Sequence, residues 1–318
     1  EAEVTNMPVG GSVEWSCANP AAVSFDSPNA NQTKVTALVP GKQQVTFRVL
    51  DSAGTEMSSM IVPLAIPQFV QVVEDTAKFD AALTAYGLDT VKSSVLDVVK
   101  ATTEQLTSTA NVRIVWNLGS LNDSLPAQFS GAGTAANNLT VATIENDNPT
   151  NALYGMTFFV AGAYGPSVLN ETIKMWPANF ADPVIHALPG SNVDDAVLQI
   201  VTEMNSMDLT DLRLMELKIN AIGRLLGESL AHEIIHSLIG KIDNPNGTRT
   251  DHNSPAIAAG CIMNPGSNRS FQHRTGIEIS DLANFPDIGS YTDHGTNTIN
   301  TPSAQIQTQI DQDFPVTI

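Results

Sequence analysis

The stretch LAHEIIHSLIG, Leu230 to Gly240, places two histidines and a glutamate within five residues. On an α-helix the two imidazoles stand one turn apart on one face, where each can give a nitrogen to a single tetrahedral zinc ion at about 2.0 to 2.1 Å. Glu233, beside the first histidine, can take a proton from a water activated by that ion and later deliver it to a leaving amine. Leu226, Leu230, Ile234 and Leu238 form an apolar stripe pointing nearly the opposite way, so the helix is expected to pack on a core while displaying His232 and His236. Gly240 is suited to end it. The chain has only six histidines, and two of them on this face with Glu233 between them make the strongest chemical signal present.

A catalytic zinc takes three protein ligands and keeps one position for water, whereas a closed structural site takes four and has no use for Glu233. The third ligand must come from beyond the helix. KIDNPNGTRTDHNSPAIAAGCIMNPG supplies Asp243, Asp251 and His252 ahead of Met263; His273 and His294 follow, and Glu278 in GIEISDLANF is a carboxylate alternative. The run DNPNGTRTDHN also clusters oxygen donors around a glycine, so a structural Ca2+ is a second cation to consider, although the spacing fits no EF-hand and turn chemistry explains the same residues. GPSVLNE and GESLAHE lack the Gly-x-Ser-x-Gly elbow, and neither Cys17 nor Cys261 sits in a nucleophile motif, so no covalent acyl-enzyme is expected.

From HEIIH through CIMN the chain resembles the metzincin clan of zinc endopeptidases, whose pattern is H-E-x-x-H-x-x-G-x-x-H followed by a Met-turn beneath the metal. The resemblance implies His232 and His236 as ligands, Glu233 as general base and Met263 as the structural methionine of the Met-turn. Two positions depart from the pattern: glycine falls at 240 while 239 is Ile, and the position of the third histidine, 242, is Ile. The spacing resembles that of metzincin-like proteins with an insertion before the third ligand, in which NGTRTDH brings His252 back to the metal. Pro265 stands where some relatives carry a zinc-contacting tyrosine, and Tyr291 is expected to be an ordinary loop residue. The resemblance also implies that peptide binds in extended form along an edge strand, with LYGMTFFVA as the candidate.

The elements around this motif follow from periodicity. DDAVLQIVTEMNSMDLTDLRLMELKINAIGRLLGESLAHEIIHSLIG is helical by period and composition, and NVRIVWN, LTVATIE and YGMTFFVAGAYG are candidate strands. From Phe69 the period lengthens to three and four, and FDAALTAYGLDTVKSSVLDVVKATTEQLTSTA indicates one or two helices. Ahead of them GSVEWSC, AAVSFDS, TKVTALV, QQVTFRVLD and SSMIVPLAI read as short strands separated by Gly, Pro and Asn. The Trp strand, Asn-Pro turn and Pro-Gly turn of this segment resemble bacterial Ig-like domains, which implies a spacer without chemistry of its own. The expected architecture is therefore multidomain: an Ig-like β-sandwich over residues 1–66, then an α+β zincin domain, metzincin-like, over 67–318, with a boundary near Ile66 to Gln68.

The whole composition is consistent with that plan. A chain of 318 residues with 42% hydrophobic and 15% charged residues can bury two cores. Fifteen Lys plus Arg against 33 Asp plus Glu leave a net charge of -18, which argues against nucleic acid and anionic membrane as partners. The longest apolar run, MIVPLAIPQFVQVV, is too short to span a bilayer and contains two prolines. The two cysteines fall in different expected domains and are read as free thiols. The resulting expectation is a zinc-dependent endopeptidase acting on protein or peptide, exported or on a bacterial cell surface by analogy with the Ig-like module. The alternative is a non-catalytic surface or adhesion protein with a structural zinc.

Overall fold

The computed structural model describes residues 7–130, 139–145, 153–158, 172–187, 195–206, 210–244, 247–253, 261–287, 289–314 and 316. All five strands expected ahead of Pro67 are present: β1 (Ser12–Cys17), β2 (Val23–Phe25), β3 (Val35–Ala37), β4 (Gly41–Leu50) and β5 (Glu56–Ile66). They form two antiparallel sheets, β1-β4-β5 and β2-β3. Alternation turns Val13 and Trp15 of β1 and Val45 and Phe47 of β4 inward, where they meet Ala22, Val23 and Ile66. Trp15 stands directly opposite Phe47, with ring centroids 4.5 Å apart. A cross-strand aromatic pair of this kind helps hold the register.

The chain changes sheet across the single residue Pro67. Strand β6 (Gln68–Glu74) is the first strand of a six-stranded sheet, where the lengthening period had implied helix from Phe69. The physical reason is burial on both faces: Val70 and Val72 face the helices while Phe69 faces the other side, so FVQVV shows no clean alternation. Two helices follow, α1 (Thr76–Ala85), capped by the Asp75 side chain, and α2 (Lys92–Leu106). The sheet then continues through β7 (Val112–Leu118), β8 (Leu121–Asn122), β9 (Leu139–Ile144), β10 (Gly155–Phe158) and β11 (Thr172–Met175). Its order is β10-β11-β9-β6-β7-β8, parallel across β11, β9, β6 and β7, with antiparallel β10 and β8 at the edges. Beyond Phe158, the candidate strand YGMTFFVAGAYG runs outside the described residues.

After α3 (Pro183–His186) and α4 (Asp195–Asn205) comes α5 (Leu212–Ile239), a 28-residue helix that carries the HEIIH motif. Asp211 caps its start by accepting from the amides of Arg213 and Leu214. Gly240 ends it at φ 61°, donating to the His236 carbonyl. From Ala221 to Ile239 every residue of α5 is buried, so the amphipathic surface helix expected from the leucine stripe is instead a helix between two cores. Leu226, Leu230 and Ile234 pack with the sheet and α1, α2 and α4; Ala231, Ile235, Leu238 and Ile239 pack in a second cluster. Gly223 and Gly227 let α5 press against α2: a Cβ on either would come within 2.7 to 2.8 Å of Val98 or Thr102.

Beyond α5 a short hairpin, β12 (Ile242–Asp243) with β13 (Arg249–Thr250), turns the chain back on itself. Helix α6 (Phe271–Thr275) and the hairpin β14 (Ile277–Ile279) with β15 (Tyr291–Asp293) follow, tied to α5 where Arg224 pairs bidentately with Asp293 at 2.6 and 3.1 Å. The final helix α7 (Ala304–Asp313) sets Ile306 and Ile310 into the second cluster behind α5. Cys17 and Cys261 are free thiols, as expected.

Candidate metal centre

His232 and His236 project from the last turns of α5 into a cavity of about 370 Å³. The β12–β13 hairpin delivers His252 to the same point. The Nε2 atom of His232 lies 3.1 Å from that of His236 and 3.2 Å from that of His252. Among the described residues these three histidines form the group of ligand atoms close enough together to hold a metal ion. Their orientation is enforced from behind. The Nδ1 of His232 donates to the Ile262 carbonyl at 2.7 Å and that of His236 to the Gly240 carbonyl at 3.4 Å, which leaves both Nε2 lone pairs facing one another. Buried lone pairs meeting at such a distance repel unless a cation lies among them, so the donor set itself fits a metal.

Burial keeps all three rings neutral. It pushes His232 well below the ordinary histidine range, aided by Arg269 and the other two rings. It brings His236 to about 4 and His252 to about 3. Glu233 moves the other way, up to about 7, because burial disfavours its charge more than the Thr157 hydroxyl and Arg269 favour it. Its Oε1 is 3.9 Å from His232 Nε2, and its Oε2 lies 2.8 Å from the Thr157 hydroxyl on the edge strand β10. Gly155 on that strand is required by proximity: a Cβ there would sit 2.7 Å from the Met175 sulfur and 3.1 Å from Glu233 Cγ.

Met263 is fully buried in a tight turn, Cys261–Asn264, closed by the Asn264 amide on the Cys261 carbonyl. The turn is coupled to the histidines on both sides. Ile262 holds His232, and the Met263 carbonyl accepts from Asn253, the neighbour of His252. The other candidate ligands go elsewhere. Asp243 pairs with Arg249 at 2.6 Å across the hairpin, Glu278 and His294 pair with each other at 2.9 Å, and His273 stands on α6 outside the trio. Asp251 lines the cavity. In DNPNGTRTDHN, Asp243 is engaged by Arg249, His252 joins the histidine group, and residues 245 and 246 lie outside the described residues. Tyr291 packs against Phe285, centroids 6.0 Å apart.

Sequence reasoning missed a charged cluster one turn before His232. Glu228 is completely buried and receives Arg269 at 2.7 Å on one oxygen and Arg274 at 2.9 Å on the other. Both arginines line the cavity, as does Tyr154, whose ring lies under the Arg274 guanidinium at 5.2 Å. Burial and the neighbouring Arg274 bring Arg269 down to about 10. Two arginines shortly after CIMNP in so acidic a chain were the available signal, but nothing in their spacing points to Glu228. Comparison with protein-family models, with curated proteins and with solved structures finds no match to this chain.

Proposed function

We propose that this chain is a zinc-dependent endopeptidase of metzincin-like type, with His232, His236 and His252 as metal ligands and Glu233 as general base. The observation that carries this reading is the convergence of three imidazoles beside a buried carboxylate in a cavity bordered by a sheet edge. A tetrahedral zinc with bonds of about 2.0 to 2.1 Å spaces its nitrogens by roughly 3.3 to 3.4 Å. The observed 3.1 and 3.2 Å are close to that spacing. When bound, zinc supplies Lewis acidity that acidifies water and polarises the scissile carbonyl.

The chain's own residues do the rest. Glu233 takes the water's proton on its carboxylate and passes it to the leaving nitrogen, with Thr157 fixing the rotamer. β10 pairs with β11 on one side only among the described residues, leaving backbone groups to align an extended peptide across the cavity. Met263 supports the floor through the turn that holds His232. The N-terminal strands act as an Ig-like spacer, and the protein works outside the cell or on its surface. Among the described residues no helix is long and apolar enough to cross a membrane.

The test is zinc content and casein cleavage on one preparation of wild type and of Glu233→Ala. The expected result is one zinc per chain in both and cleavage by wild type alone. Zinc without cleavage by either protein would favour a structural site in a surface or adhesion protein. Absence of zinc would overturn the assignment of the histidines.

A further inference from the structure

His252 reaches the other two histidines on a hairpin that has little of its own to hold it. Strands β12 and β13 have two residues each and pair at Ile242 with Thr250 and Asp243 with Arg249. A two-stranded hairpin of ordinary length is marginal in water, and this one is shorter. The Asp243–Arg249 ion pair, more than half exposed on both sides, adds little. Helix α7 supplies what is missing. Gln309 accepts from the Asp243 amide at 3.2 Å and donates to the Lys241 carbonyl at 2.8 Å, and Gln305 donates to the Asp243 carbonyl. Alternate residues of a strand turn their backbone groups to one edge. Asn244 turns the other way, its amide bonding the Thr248 carbonyl inside the hairpin. Three outward backbone groups of Lys241 and Asp243 are therefore taken by two side-chain amides of one helix, which stand where a third strand would.

The spacing along α7 makes this a clamp. Gln305 and Gln309 are four residues apart and share one face of the helix. The neighbouring row, Ile306 and Ile310, packs in the same buried cluster as Ile242, so α7 holds β12 by its side chain and by its free edge. The grip continues to the histidine. Asn244 Nδ2 donates to the Thr250 hydroxyl at 2.6 Å, and that hydroxyl donates to the His252 carbonyl. Neither glutamine lines the cavity, so any effect on the metal passes through the hairpin. Resting on the metal-site reading above, we propose that Gln309 and Gln305 are positioning residues that keep His252 at the metal and slow the loss of zinc. A ligand's apparent affinity falls with the fraction of the protein whose site is assembled, so loosening the clamp weakens zinc binding.

The test is the rate at which the zinc-loaded full chain gives up its metal to excess EDTA, together with casein cleavage by the wild type. Gln309→Ala, which loses two hydrogen bonds, is expected to release zinc about tenfold faster than wild type, and Gln305→Ala, which loses one, about threefold faster. Gln307→Ala is the control. Gln307 lies on the same helix but donates to the Thr109 carbonyl at 2.8 Å, away from the hairpin, so its loss should leave zinc release within about twofold of wild type. A general loosening of α7 would move both variants alike. In a His252→Ala background Gln309→Ala should speed release no further, because the group it positions is gone. The Gln307 comparison decides alone if His252→Ala holds no zinc. Equal release by Gln309→Ala and wild type, or equal acceleration by Gln307→Ala, overturns the proposal. Zinc held by a wild type that cleaves casein, and released at one rate by every variant, sinks the clamp and spares the peptidase. Faster release from Gln309→Ala alone, with no cleavage by wild type, does the reverse, and a wild type that takes up no zinc overturns both.

Discussion

The strands before Pro67 and the domain after it bury different things. In the first, the buried side chains are apolar: Val13, Trp15, Ala22, Val23, Val45, Phe47 and Ile66. Among the described residues, every buried polar or charged side chain lies at Gln68 or later, including Glu228, Arg269, Arg274, Lys218 and the histidines of the candidate metal centre. An apolar core is the simpler way to stabilise a fold, since buried ions lose hydration that pairing only partly returns. The contrast sets the candidate site apart: one region buries apolar side chains alone, and the other gives up stability to hold charge in a fixed place.

The largest effect that sharpens this contrast is Glu233→Gln, expected to lower cleavage about 10²- to 10⁴-fold with zinc content unchanged, read by steady-state kinetics and metal analysis. Next is Arg274→Ala, which strips Glu228 of a partner and should lower stability by about 3 to 5 kcal/mol in urea titration. In the first region, Val45→Ala removes only apolar contacts and should lower stability by about 2 kcal/mol with zinc affinity unaffected. Altered zinc affinity in that variant would show that the two regions are coupled and break the comparison. Gly227→Ala sets a methyl 3.0 Å from the Val99 carbonyl and should cost about 1 to 2 kcal/mol by prising α5 from α2.

The smallest effect is at Lys218, 1% exposed, which burial lowers from 10.5 to about 8. With the folded value below the unfolded one, the charged lysine opposes folding fully below about pH 8, and the opposition fades as pH rises to 10.5. Lys218→Met should therefore raise the melting temperature by about 2 °C at pH 7 and flatten its rise between pH 8 and 10.5. Thermal melts across that range check both.

How much was legible varied with the range of the interaction. Of the N-terminal strands, β1, β2 and β4 were legible because each turns alternate residues inward and the pattern survives. β6 was not, since burial on both faces erases the alternation that distinguishes strand from helix. α5 was visible as a helix, but the continuous burial of 221–239 was not, because the polar face that reads as solvent-exposed in fact lines a cavity.

The sequence by itself determined the helix, its glycine stop at 240 and the pairing of His232 with His236 around Glu233, all set by contacts within a turn or two of one another. Only the tertiary structure chose His252 over Asp243 and Asp251, because the choice depends on the hairpin that carries it back. It alone brought Arg269 and Arg274 onto Glu228 across separations of 41 and 46 residues. Local spacing encodes what one helix presents, whereas a buried charge acquires its partners only when distant segments close over it.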